Sequence, residues 1–395
     1  MRVHRAVAGV SAPALLLALL LAASAAAHRT DQASPRRGQS LQEAWVVGAD
    51  SVWAWTEDGT GPVTGGGAQG VELSADGGRR WSDATPPGLG VQGGRRWISG
   101  LFALNGAVAW LSYGGLADSS AQTILRTIDA GRRWTPIGRM PHGRWCTLQF
   151  ISPQVGWCAF VGAAAGSATV TLYRTNDGGR RWRVVSRTPI GVNHRPGALP
   201  YGGDKEIEFS TAVSGWAVFE APVGTAPLYE TVDGGRTWVA RQVSPAPETR
   251  FGGSFVGRPV LDGRYGAVAY SAGLAAGSRT LVYASSDGGR RWHPVIPPGA
   301  AEPWFVDTIT ARRWRLLYGS RILATDNAGR TWRTIVTNKR FATLAYAYNA
   351  PAPAVRFTTS AIGWVVQQDP TTNVSTLWRT VDGGRRWAQV SVPGS

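Results

Sequence analysis

Runs of four to seven residues in which apolar and polar side chains alternate recur along this chain, each bounded by Gly, Pro or Ser. A period of two turns one side of the backbone toward a core and the other toward solvent, so these runs predict β-strands. One stretch shows the frame in full: Cys146-Thr-Leu-Gln-Phe150, a break, Gly156-Trp157-Cys-Ala-Phe160, a loop of small residues, then Val170-Thr-Leu-Tyr-Arg-Thr175. It recurs as Ile207-Glu-Phe209 with Gly215-Trp216 and as Val355-Arg-Phe357 with Gly363-Trp364. Weaker versions cover about residues 41–85, 97–138, 251–296 and 303–336.

Each frame runs into nearly the same eight residues, Ser/Thr-x-Asp-x-Gly-x-x-Trp. The copies are Ser74 to Trp81, Thr127 to Trp134, Thr175 to Trp182, Thr231 to Trp238, Ser285 to Trp292, Thr325 to Trp332 and Thr380 to Trp387. Asn327 stands in the sixth where the others have Asp76, Asp129, Asp177, Asp233, Asp287 and Asp382. These positions are 53, 48, 56, 54, 40 and 55 residues apart, the spacing of a four-stranded propeller blade. Each unit reads as strand A, a tight turn, strand B with its Gly-Trp, a variable loop, strand C, the Asp turn and strand D. The expected fold is therefore all-β: a seven-bladed β-propeller over residues 41–395, made of four-stranded antiparallel blades with an Asp-box turn in each.

The eight residues suit a hairpin turn. Gly at the fifth position accepts a positive φ, and the carboxylate can take hydrogen bonds from N–H groups of its own turn. The hydroxyl closes the other side, and the Trp opens the next strand as an apolar wedge against the neighbouring sheet. Equal spacing tempts a metal or catalytic reading of the aspartates. Local satisfaction of each carboxylate, a blade away from the next, makes them structural instead.

This repeat resembles the Asp-box, or BNR-type, propellers. A Phe followed six positions later by Gly-Trp, and then Arg-Thr-x-Asp-Gly-Gly-Arg-x-Trp, is most similar to the photosystem II assembly and stability factor-like group. Sialidase-like and sortilin-like propellers are more distant likenesses. The resemblance covers nearly all of the chain after about residue 41 and implies the fold. Asp-box propellers include sialidases, xyloglucan-type glycoside hydrolases, sortilin-type receptors and assembly factors that catalyse nothing, so function has to be argued from a site.

Composition agrees with a secreted all-β protein. Residues 1–27 run from a basic start with Arg2 and Arg5, through the apolar Ala14 to Ala23, to Ser24-Ala25-Ala26-Ala27. This predicts a cleaved secretion signal; an uncleaved anchor is the alternative, for which the apolar core is short. Residues 28–40 read as a flexible linker, and no later segment is suited to cross a membrane. The only two cysteines, Cys146 and Cys158, fall in adjacent strands, and export permits a disulfide. A turn centred on Ser152 would set them opposite, whereas pairing Ile151 with Gly156 would leave them diagonal and too far apart. No cofactor or metal site is expected: His4, His28, His142, His194 and His293 form no ligand pair at helical spacing.

The formal charge of +16 falls to about +14 when Arg2 and Arg5 leave with the signal. The basic residues include only two Lys, Lys205 and Lys339, and twelve arginines sit in the boxes as five Arg-Arg pairs plus Arg236 and Arg330. They predict a basic rim, either simply solvated or holding an anionic envelope polymer, acidic lipid headgroups or an acidic protein. Export and the lack of a recognition motif argue against nucleic acid.

Strand order puts A–B and C–D turns on one face and the irregular loops on the other, where repeat folds usually carry function. The longest of these loops hold His194, Arg195, Tyr201 and Asp204, and Lys339, Arg340, Phe341, Tyr346, Tyr348 and Asn349. Trp97, Trp145 and Trp304 either join that face, where an indole can stack on a sugar, or are buried between blades. For a glycosidase with two carboxylates the candidates are Glu43, Glu206 and Asp307, on or beside first strands. The Phe/Tyr-Arg-Ile-Pro segment of sialidases is absent, since the first blade opens Ala44-Trp45-Val46-Val47-Gly48, and xyloglucan-type enzymes usually need two propellers. The expectation is a secreted or envelope-associated monomer acting as a binding or assembly module for protein or glycan partners on the irregular-loop face. The alternative is a carbohydrate-active hydrolase, sialidase-like before xyloglucanase-like. The ends of the chain are expected to meet by side-chain packing alone.

Overall fold

The computed structural model describes residues 39–58, 68–89, 97–114, 122–141, 146–161, 169–188, 196–200, 205–221, 224–245, 253–274, 277–298, 305–318, 321–336, 355–368 and 375–393. Contacts divide the chain between Pro35 and Arg36, and the first unit, with the expected signal, lies outside the described residues. Among the described residues the regular structure is entirely β, and no helix is long and apolar enough to cross a membrane.

The alternating runs form antiparallel meanders. Three sheets are single four-stranded meanders: Trp97–Ala103, Ala109–Gly114, Thr123–Thr127 and Thr135–Arg139; Cys146–Phe150, Gly156–Val161, Val170–Thr175 and Arg183–Arg187; and Phe305–Thr310, Arg313–Tyr318, Arg321–Thr325 and Arg333–Val336. An eight-stranded sheet joins Gln39–Val46, Val52–Asp58, Gln69–Ser74 and Ser82–Asp83 to Val355–Phe357, Gly363–Gln368, Ser375–Thr380 and Ala388–Val390. A nine-stranded sheet joins Lys205–Phe209, Gly215–Ala221, Leu228–Thr231 and Val239–Ala240 to Gly253–Asp262, Tyr265–Leu274, Gly277–Ser285 and Arg291–Val295. Its ninth strand, Gln242–Val243, runs parallel to Arg291–Val295, a crossing between meanders that alternation within a run does not announce.

The Phe-to-Gly-Trp spacing has a steric cause. Phe150 pairs with Gly156, Phe209 with Gly215 and Phe357 with Gly363 across the first hairpin of their meanders. In each pair the phenyl ring occupies the space a Cβ on the glycine would need. The following Trp then projects from the other side of the strand, and Trp53, Trp110, Trp157, Trp216 and Trp364 are all fully buried.

That register also decides the cysteines. Cys146 pairs with Phe160 and Cys158 with Leu148, so neither register considered from sequence occurs and the cysteines are diagonal on one side of the hairpin. They are nonetheless joined in a disulfide, with Cα atoms 5.4 Å apart. Strand twist shortens one diagonal of an antiparallel pair, which corrects the expectation that a diagonal pair is too distant.

Successive meanders pack through the Asp turns. The fifth-position glycine of each turn lies against the meander before it: Gly131 on Ala84, Gly179 on Ile137, Gly235 on Leu172, Gly289 on Trp216, Gly329 on Val295 and Gly384 on Ile322. Gly78 lies on Val390, so the 39–83 meander follows the 355–390 meander in the same way. Backbone pairing of Leu41 with Ser375 reinforces this junction. Arg379 adds to it, with Nη2 donating to the Ala49 carbonyl at 3.2 Å and to Asp50 Oδ1 at 2.5 Å. The ends therefore meet by strand pairing and charged hydrogen bonds as well as by packing of Trp364 with Leu41, Val46 and Trp81. A long hydrogen-bonding side chain such as Arg379 latches two meanders without any exchanged strand, which the sequence expectation left out.

Candidate functional site

The Asp turns are self-contained. In the 175–182 copy, Thr175 Oγ1 donates to Asp177 Oδ1 at 2.8 Å and accepts from the Gly179 N–H at 2.9 Å. Asp177 Oδ1 also accepts from the N–H groups of Arg180 and Arg181, at 3.1 and 3.0 Å. The N–H of the fourth residue donates to a carbonyl in the turn between the first two strands in every meander, as Gly178 does to Gln154 at 2.8 Å. The N–H of the seventh residue, foremost, holds Asp76, Asp129 and Asp287 below the usual carboxylate range. For Asp177, Asp233 and Asp382 burial pushes upward and the turn's hydrogen bonds outweigh it. Asn327 preserves the scheme because the backbone needs only one side-chain oxygen: Oδ1 accepts from the Thr331 N–H at 2.9 Å while Nδ2 donates to Thr331 Oγ1 at 2.8 Å. One oxygen of each carboxylate is thus committed to its own turn, and among the described residues no cluster of His, Cys, Asp and Glu could hold a metal ion.

The other concentration of charge lies on the first strands of the meanders. Glu208, on Lys205–Phe209, receives Arg258 Nε at 3.2 Å from Gly253–Asp262. Asp307, on Phe305–Thr310, accepts the Phe357 N–H at 2.5 Å through Oδ2. At the register position of Asp307 in the 146–187 meander, Gln149 makes the equivalent bridge, accepting the Phe209 N–H at 2.7 Å and donating to the Phe209 carbonyl at 3.1 Å. Arg356, on Val355–Phe357, acts electrostatically on both Glu208 and Asp307 although two meanders separate its strand from Glu208 in one direction of the chain. The first strands thus converge on a common space in which acids and arginines alternate.

Burial dominates the protonation of these acids. It raises Glu208 against the pull of Arg258 and Arg356, and raises Asp307 to about 6 against the Phe357 N–H, Arg356 and Arg315. Glu43, on Gln39–Val46, is pushed up to about 8 by burial. Glu206 lies one turn of the pleat from Glu208 and is solvent-exposed. Of the three acids singled out from sequence, Glu43 and Asp307 are thus half-buried and shifted toward the neutral form, whereas Glu206 is exposed. Sequence reasoning passed over Glu208, Arg258 and Arg356. The available signal was a charge between two apolar neighbours on a strand, as in Ile207-Glu208-Phe209 and Val355-Arg356-Phe357.

The loop candidates His194, Arg195, Tyr201, Asp204, Arg340, Tyr346 and Tyr348 lie outside the described residues, as do Trp145 and Trp304. Trp97 opens its strand opposite Gly114 and is partly buried. Two shallow hollows, of about 200 and 280 Å³, lie elsewhere: one between Arg333, Ser360 and Arg385, the other between Pro86, Tyr113 and Trp134. Neither contains a candidate acid.

No family profile and no curated protein matches the chain. Among solved structures it is similar to YCF48 from Cyanidioschyzon merolae, with a TM-score of 0.51 and 15% identity over 87% of this chain and 96% of that one. It is also similar to the β-propeller domain of the Trilobed protease from Pyrococcus furiosus, with a TM-score of 0.52 and 9% identity over 91% of this chain and all of that one. The α-L-arabinanase of Penicillium chrysogenum complexed with arabinobiose gives a TM-score of 0.42 and 14% identity over 70% and 89% of the two chains, too low to bear on either fold or chemistry. At such identities the likeness concerns the fold alone. This chain is an all-β protein of the β-propeller class.

Proposed function

We propose that residues 41–395 form a seven-bladed Asp-box propeller, secreted or held at the cell envelope, which works without catalysis as a binding or assembly module for a protein or glycan. Seven turns of one hydrogen-bonding design and the succession of glycine contacts from Gly131 round to Gly78 support the blade count. The irregular loops opposite the Asp turns supply the contact surface, with His194, Arg195, Tyr201, Asp204, Arg340, Tyr346 and Tyr348 as its polar and aromatic groups.

The observation carrying the non-catalytic reading is the fate of the central acids. Asp307 is committed to the Phe357 N–H, as Gln149 is to Phe209, and Glu208 to Arg258. A glycosidase needs one carboxylic acid facing the leaving oxygen and a second carboxylate across the bond, roughly 5 to 9.5 Å away. One observation favours the hydrolase reading, sialidase-like before xyloglucanase-like: burial leaves Glu43 and Asp307 able to keep a proton, at about 8 and about 6. Hydrolysis of fluorogenic sialosides and β-glucans by the purified chain, beside Glu43→Gln, Glu206→Gln and Asp307→Asn, separates the two. No turnover is expected. Turnover abolished by one of these substitutions would replace the binding module with an enzyme and identify its acid.

A further inference from the structure

The face carrying the Asp turns is chemically unlike the rest of the surface. All the box arginines are exposed, each presented from a turn whose backbone is pinned by its own Asp or Asn. Beside them, at the second position of three turns, stand Ile128, Val232 and Val381, exposed by 62, 65 and 62%. Val213, in the adjoining turn between first and second strands, and Leu261, at the end of Gly253–Asp262 beside the equivalent turn, add two more exposed aliphatic side chains on the same side. Five of the nine large apolar side chains exposed among the described residues therefore lie on this one face, which is a concentration and not the usual scatter.

The apolar apices belong to three different sheets. A pocket-sized ligand cannot reach all three, and a soluble polyanion gains nothing from aliphatic side chains raised above the arginines. A lipid surface uses both. Arginine guanidinium groups meet headgroup phosphates, while Val and Ile side chains above the backbone enter the acyl boundary.

We propose that the Asp-turn face docks on an anionic phospholipid surface, with the box arginines at the phosphates and Ile128, Val232 and Val381 inserted between headgroups. This concerns the face opposite the irregular loops, so it stands or falls independently of the binding-module reading. Two further features favour an anionic partner. The cation that acts on Arg126 after burial is another arginine, Arg180, and Arg174 is placed in the same way beside Arg236. These like-charged pairs at junctions between meanders are relieved by an anion.

The test uses the full chain with Ser286→Cys, an exposed second-position residue of a turn that lacks an aliphatic apex, labelled with an environment-sensitive fluorophore. Cys146 and Cys158 are bonded to each other, so the introduced thiol is labelled alone. The reporter is expected to shift to the blue on vesicles of phosphatidylcholine mixed with phosphatidylglycerol and not on phosphatidylcholine alone. Ile128→Ser, Val232→Ser and Val381→Ser together should weaken vesicle binding about tenfold or more, and each box Arg→Gln about fivefold at low salt. An unchanged reporter on anionic vesicles would overturn the proposal. So would vesicle binding that survives the triple serine variant undiminished; that result, with competition by dextran sulfate, would assign the face to a soluble acidic polymer.

Discussion

The guanidinium carbon of Arg315 lies 6.0 Å from the centre of the Phe357 ring, at the register position where Trp157 stacks on Phe209 with 3.8 Å between ring centres. A planar cation thus replaces an indole as the wedge between two meanders. Its Nη1 donates to the Trp314 and Thr325 carbonyls at 3.0 and 3.3 Å and pairs with Asp326 at 3.4 Å. Buried Arg315 is also one of the positive charges restraining Asp307, whose pKa burial lifts to about 6.

Arg315→Gln is therefore expected to raise the Asp307 pKa further and to cost about 1 to 2 kcal/mol through the hydrogen bonds it loses to the Trp314 and Thr325 carbonyls. For an acid whose folded pKa is raised, stability is fully present below the unfolded value of 3.8 and is lost as pH rises through the folded value. The variant should extend that loss to higher pH. Carboxyl-carbon NMR titration checks it; an Asp307 midpoint that stays where it was would show that Arg315 does not act on this carboxyl.

Glu43 should make the protein less stable in alkali. Its pKa is pushed by burial from 4.5 to about 8, so its contribution is intact below pH 4.5 and disappears by about pH 8, with a limiting slope of about 1.4 kcal/mol per pH unit. Glu43→Gln removes the slope. Urea unfolding across that range should show the variant equal to the parent in acid and more stable in mild alkali. Parallel curves would mean that Glu43 is solvated.

The Asp turns should tolerate Asn but not Ala. Asp233 Oδ1 accepts from the N–H groups of Arg236 and Thr237, both at 2.9 Å, and Oδ2 accepts from Thr237 Oγ1 at 2.6 Å. Asp233→Asn can reproduce the Asn327 to Thr331 arrangement and should cost under about 1 kcal/mol, whereas Asp233→Ala removes the acceptor of two backbone N–H groups and of the Thr231 and Thr237 hydroxyls and should cost about 2 kcal/mol. Equal losses in denaturant unfolding would contradict the role given to Oδ1.

Two turns carry strain that can be removed. Ala130 and Ala328 adopt φ values of 62° and 59° at the fourth position, where Gly178 and Gly234 both have 77°. Ala130→Gly and Ala328→Gly keep the N–H bonds to the Ala107 and Arg312 carbonyls and should each stabilise the fold by about 1 kcal/mol. A lower melting temperature in both variants would show that lost chain entropy outweighs the relieved strain.

How far the chain can be read before it folds depends on how far apart the interacting residues are. The Asp turn closes within eight residues, between Thr175 and Trp182 for instance, and its hydrogen bonds follow from the identities at the first, third and fifth positions. The spacing of Phe150 to Gly156 is equally local, a ring laid over a missing Cβ across one hairpin. Repeats, strands and the all-β class were legible for that reason.

Contacts between meanders were not. Gly266 and Ala267 stand where three other units have Gly-Trp, and the missing bulk is made up by Trp314 of the next meander, which clusters with Ala267 and Val282 from the position a glycine holds in those three units. Arg315 then takes the indole's place on the far side, and Arg379 reaches 330 positions back along the chain to the Ala49 carbonyl. The repeating unit is written into the order of residues, because each turn satisfies its own polar groups and each hairpin its own sterics. Which side chains fill the seams and which acids share the central space is settled on folding, because those choices rest on volume and charge brought together from separate strands, where a shortfall in one repeat is met by an excess in the next.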